Sequence, residues 1–98
     1  MSQQLYQADE PITASEVVSK GPSQLHGILL NSVAATATIQ LFDDTTTTSP
    51  QNAIGGLWTP GAIVVPTFIP LDIETSKGLT VIIAVAAANL TCIGRFAS

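Results

Sequence analysis

The chain has 98 residues, of which 46% are hydrophobic and only 10% charged, so it can build one hydrophobic core but falls far short of the roughly 25% charge of an ordinary soluble domain. A net charge of −4, with Lys20, Lys77 and Arg95 as the only Lys or Arg residues, leaves no clustered basic surface for nucleic acid and disfavours anionic membranes. Cys92 is the single cysteine, which excludes an intrachain disulfide and leaves folding to packing or assembly.

Taken in order, residues 1–11 are polar, carry Asp9 and Glu10, and lack a periodic apolar face. They read as an extended N-terminal arm in which Leu5 and Tyr6 would supply anchoring contacts to a neighbouring subunit. No basic region followed by an apolar run marks an export signal, and the apolar stretch 79–88 is about half the ~20 residues of a spanning helix. The expectation is a soluble protein made in a cytosol. Residues 12–18 (ITASEVV) form a short strand candidate, placed near an edge by Glu16, and Lys20-Gly21-Pro22 makes a turn.

Residues 25–42 predict a hairpin with its turn at 31–35. Its first arm is apolar on both faces around Ile28, Leu29 and Leu30, as in a strand buried twice over or lying under a subunit contact. Its second arm alternates, with Ala37, Ile39 and Leu41 on one face and Thr36, Thr38 and Gln40 on the other. The polar run 43–52 (DDTTTTSPQN) predicts an exposed loop or hairpin tip. Residues 55–61 are dense in turn formers around Trp58, which reads as a core plug or an interface anchor. Residues 62–69 are β-prone, with Pro66 demanding an edge or a bulge. Residues 70–75 follow as a short strand with Ile73 inward between Asp72 and Glu74, and 76–78 connect tightly. A second predicted hairpin, 79–96 with its turn at 87–89, matches the first in length and shares Leu25/Leu79, Ile28/Ile82, Ala34/Ala88, Ile39/Ile93 and Phe42/Phe96.

No stretch sustains a helical apolar stripe. The predicted fold class is all-β: an antiparallel β-sandwich or small jelly roll of about 7–8 short strands, with a single domain over 12–98 behind the N-terminal arm.

Chemistry is sparse. Cys92 and His26 are the only candidates for a thiolate pair, but Cys92 lies in an apolar strand where cysteine behaves as a small buried hydrophobe. Asp72 with Glu74, and Asp43 with Asp44, read as solvated acids beside turns rather than as a glycosidase pair. One histidine and one cysteine make no zinc cluster, Asp43-Asp44 lacks the alternating acids of a calcium loop, and the glycines form no phosphate cradle. The expectation is a protein that is not an enzyme and uses no metal or cofactor.

Gly21…Leu25-His26-Gly27-Ile28, Ala37-Thr38-Ile39-Gln40-Leu41-Phe42-Asp43, Gly78-Leu79-Thr80-Val81 and Ala88-Asn89-Leu90-Thr91 together resemble a pattern of small bacteriophage virion proteins. The pattern runs G-x-x-x-L-x-G-I … A-x-I-x-L-x-D … G-L-x-V … A-x-L-T. The resemblance covers about three-quarters of the chain and implies a β-sandwich. It also implies a role as a capsid decoration or cement subunit, or as a fibre or tail part, and it carries over no individual site residue. The low aromatic count and the polar ending Arg95-Phe96-Ala97-Ser98 depart from the usual form. The resulting expectation is a virion structural protein, made in the host cytoplasm, that binds the major capsid protein at capsomer junctions as a homo-oligomer, expected to be a trimer. The alternative is a receptor- or glycan-binding module of a phage fibre or tail. Candidate interface residues are Leu5, Tyr6, Ile28, Leu30 and Trp58.

Overall fold

The computed structural model describes residues 7–8 and 10–96. Eight strands follow one another: β1 (Gln7–Ala8), β2 (Glu16–Ser19), β3 (Ser23–Val33), β4 (Thr38–Phe42), β5 (Ala53–Trp58), β6 (Thr67–Thr75), β7 (Leu79–Ala84) and β8 (Ala88–Arg95). They form two four-stranded sheets, ordered β1-β8-β3-β6 and β2-β7-β4-β5, and every pairing is antiparallel. The partners β1·β8, β2·β7, β3·β6 and β4·β5 are those of one long hairpin doubled back at 43–52. Rolling that hairpin up adds the pairings β3·β8 and β4·β7, which is the winding of a jelly roll.

The stretches 25–42 and 79–96 are therefore arches rather than hairpins. β3 and β4 lie in opposite sheets, as do β7 and β8, and each turn carries the chain across the core from one sheet to the other. The arches stack on each other, β3 against β8 and β4 against β7, and supply the four inner strands. Their inward side chains make the core: Leu25, Ile28, Leu30, Leu90 and Cys92 from the first sheet, with Ile39, Leu41, Leu79 and Val81 from the second, all at most 1% exposed. Ile28 and Leu30 thus face inward together, and the residue between them, Leu29, is the outward one, half-buried opposite Phe68.

The two open sides of the sandwich are closed differently. On one side the chain between β1 and β2 bridges Leu90 through both backbone groups of Ile12, whose side chain is 1% exposed in the core. The predicted strand over 12–18 is thereby shortened to β2, because Ile12 is drawn towards the first sheet while residues 16–19 pair with the second. On the other side Ile63 pairs with Val33 through two backbone hydrogen bonds of 2.9 and 3.0 Å, tying the β5–β6 connection to the end of β3. β6 is the edge of its sheet, which lets it hold Pro70 within the strand, and it begins at Thr67, just after Pro66. Gly27 is required by close approach: a Cβ there would collide with the Phe68 ring and come within 2.6 Å of the Ile69 carbonyl.

The turn after β7 stores strain. Val85 has φ 74°, and Ala86 N–H donates to the Ala84 carbonyl at 2.9 Å, the pattern of a tight γ-turn centred on a β-branched residue. Replacing Val85, which is exposed, with glycine should raise stability by about 1 kcal/mol, since relief of the positive-φ penalty outweighs the added freedom of the unfolded chain. Ile12→Ala should instead cost about 2–4 kcal/mol, because it empties a closed position of the core. Urea unfolding followed by circular dichroism measures both.

Candidate functional site

The chain sorts its chemistry to opposite ends of the sandwich. At one end lie the β2–β3 turn, the β4–β5 loop and the β6–β7 turn, which hold Lys20, Asp43, Asp44 and Lys77. At the other lie the turns 34–37 and 85–87 and the connection 59–66, none of which contains a charged residue, together with the chain between β1 and β2, which carries Glu10.

The polar end is organised by Asp43. Its Oδ1 accepts from Lys77 N–H at 2.8 Å and Gly78 N–H at 3.1 Å, and its Oδ2 accepts from Ser76 N–H at 3.1 Å and the Ser76 hydroxyl at 3.2 Å. One carboxylate thus clasps the β6–β7 turn to the start of the long loop. Asp44 folds the loop itself, accepting from Thr45 N–H at 2.7 Å and Gln51 N–H at 2.8 Å, while its carbonyl accepts the buried Thr80 hydroxyl at 2.8 Å. Gly78 fits because a Cβ would stand 2.5 Å from the Ser19 carbonyl and 2.9 Å from that of Asp44. Burial by itself pushes the Asp43 carboxyl up, but the N–H groups of Lys77, Ser76 and Gly78 outweigh it and hold the pKa below its ordinary value. Hydrogen bonds from Gln51 and Thr45 lower that of Asp44.

On the outer face of the first sheet, β6 bulges opposite His26, and Asp72 takes φ 54° at the bulge. The Asp72 carboxylate lies 2.9 Å from His26 Nδ1, and the Phe68 ring stands 5.7 Å from the imidazole. Gln24, Leu25, Ile73 and Glu74 complete the walls of a shallow depression of about 180 Å³ here. Cys92 projects from the opposite face of the same sheet into the core, so the structure does not assemble it with His26 as nucleophile and base. Among the described residues no group of three or more His, Cys, Asp or Glu gathers as a metal site.

Leu5 and Tyr6 lie outside the described residues. Ile28 and Leu30 are both 0% exposed within the subunit, so neither offers a surface to a partner; the inward alternation of β3 takes them into the core. Trp58 pairs with Ile39 at the end of β5, half-buried against the core. The large apolar side chains that do reach solvent are others: Leu57 (56% exposed), Val64 (88%), Val65 (65%), Val85 (78%) and Phe68 (41%). For all of these but Val85 the sequence signal was the unbroken lack of charge over 53–71, which β-propensity alone turned into an expected strand at 62–69.

Comparison with known protein families, curated proteins and solved structures finds no match for this chain.

Because the Asp43 pKa is lowered in the folded state, its contribution is fully present above the unfolded value of about 3.9 and is lost as pH falls through the lower folded value. Asp43→Asn should cost about 1–2 kcal/mol at pH 7, toward the low end of charged hydrogen bonds because the group is partly open to water. The deficit should shrink below about pH 4, where wild type loses the same charge. Urea midpoints at pH 7 and pH 3 check this.

Proposed function

We propose that the chain is a non-enzymatic virion structural protein that decorates and stabilises a phage capsid as a homo-oligomer, expected to be a trimer, binding the major capsid protein at capsomer junctions. The observation that carries the proposal is the position of the residues shared with the virion-protein pattern. Leu25, Ile28, Ala37, Ile39, Leu41, Leu79, Val81, Ala88 and Leu90 are all buried in the core. Gly27 and Gly78 are close-approach glycines, and Asp43 clasps the turn that ends at Gly78 to the start of the long loop. The pattern thus describes the skeleton of this jelly roll and leaves its surfaces free for assembly. The exposed Val64, Val65 and Val85 suit a subunit that works by contact rather than by chemistry.

A receptor- or glycan-binding module of a fibre or tail is the second reading. Trp58 is turned towards the core, so this reading now rests on the depression beside His26, Asp72 and the partly exposed Phe68 ring. Electron microscopy of the virion separates the two. Density for this chain on the head surface at capsomer junctions is the expected result, and location on a tail tip or fibre would overturn it. A Phe68→Ala chain that folds and still binds the host surface would remove the second reading as well.

A further inference from the structure

We propose that the outer face of the first sheet, at Asp72, Glu74, Gln24 and Phe68, binds a short stretch of a neutral oligosaccharide. The inference rests on the second reading above for its site, but not for its place in the particle. A subunit on the head carries such a site as readily as one on a tail.

The site is built by irregularities in adjacent strands. Against β8, β3 inserts one extra residue, His26, between the pairs Leu25↔Gly94 and Gly27↔Ile93. β6 in turn carries an extra residue against β3 between its pairs at Ile73 and Pro70, and Asp72 takes φ 54° there. Bulges re-aim side chains, and these two set the Asp72 carboxylate 2.9 Å from His26 Nδ1 on one face. A positive φ outside glycine costs free energy and is found where a side chain has a task. Glycines make room for the arrangement. A Cβ on Gly94 would collide with the Gln24 carbonyl beside the β3 bulge, and one on Gly27 with the Phe68 ring. The ring thus rests on the bulge, 5.7 Å from the imidazole, and stays 41% exposed.

The polar groups are held in place by the chain itself. The His26 ring orients Asp72, and Arg95 Nη1 donates to Gln24 Oε1 at 3.1 Å. Gln24, Asp72 and Glu74 line the depression of about 180 Å³, Arg95 stands at its rim, and Phe68 lies beyond His26 in the register.

This chemistry selects the ligand. A sugar hydroxyl both donates and accepts, and here carboxylate acceptors alternate with amide and guanidinium donors. The two carboxylates repel a phosphate or an acidic sugar, and Arg95 repels a bare cation. The depression is smaller than the roughly 300–1,000 Å³ of sites that enclose a whole small ligand. It takes one ring of a longer chain, and the next ring lays its apolar face over Phe68.

The test is nuclear magnetic resonance of the labelled full chain, titrated with neutral trisaccharides of glucose, galactose, mannose and N-acetylglucosamine. Sialyllactose and choline serve as charged controls. At least one neutral sugar should shift the amides of residues 24–27 and 68–74 and saturate with a Kd on the order of 1 mM, as a small open site permits. Phe68→Leu keeps an apolar cover over Gly27, and Asp72→Asn keeps a side chain that tolerates positive φ. Each should weaken binding by about fivefold or more with an unchanged β spectrum. The proposal is overturned by no shifts up to about 50 mM sugar, by shifts confined to other faces, by tighter binding of sialyllactose or choline, or by affinity unaltered in both variants. Location in the virion is a separate measurement. A chain that binds these sugars from the head surface ends the tail reading alone, and a chain on a tail tip that binds none of them ends this inference alone.

Discussion

The packing of two stacked arches across one apolar layer is the interaction on which this molecule depends. β3 and β8 lie on one side of the layer and β4 and β7 on the other, and their inward residues are closed off almost completely. In a chain without a disulfide and with few charges, the burial of these leucine, isoleucine and valine side chains is the main favourable term, at ~25 cal/mol per Å² of apolar area. The outer strands add little of their own: β1 contributes two residues, and β5 is bulged. They hold position because inner strands template them and because Ile12 and Ile63 stitch the open sides.

With the core fixed in this way, the two ends are free to differ. The polar end is built from specific hydrogen bonds around two adjacent carboxylates, each consumed by backbone N–H groups of its own loops. Acids used in this manner organise turns and are not presented as a paired catalytic site. The opposite end is shaped by backbone bonds, small residues and single hydroxyl bonds, such as those of Ser15 with the backbone of Ile83 and of Thr67 with the Val65 carbonyl, and Val64, Val65 and Val85 project from it.

Much of this fold was legible in the sequence, and the gaps have physical reasons. The alternation of Ala37, Ile39 and Leu41 marked the inward face of β4 and the residue before it correctly, and Cys92 is the small buried hydrophobe its apolar strand suggested. Period-2 alternation identifies a buried face but is silent on which sheet a strand joins, so two arches looked like two hairpins. Ile28, Leu29 and Leu30 suggested apolar surface on both sides. In the structure the outward Leu29 is covered in part by its cross-strand neighbour Phe68, and the inward pair belongs to the core. Gly55-Gly56 signalled a turn, but pairing with β4 on either side of the bulge drew them into a strand. The exposure of Val64 and Val65 was not legible, because β-branched residues before a proline look the same whether a sheet takes them in or leaves them out.

The same distinction bears on what a resemblance between small β proteins can carry. The positions of the pattern by which this chain resembles virion proteins fall on inward side chains, on glycines pressed against neighbouring backbone, and on the Asp43 clasp. Each is needed for this winding of strands to close, whatever the protein does, so agreement at those positions transfers an architecture first. What a jelly roll does is decided on the surfaces the pattern leaves unconstrained. In this chain the exposed Val64 and Val65 and the positive-φ turn at Val85 stand outside the pattern, on surfaces that the winding of the strands does not determine.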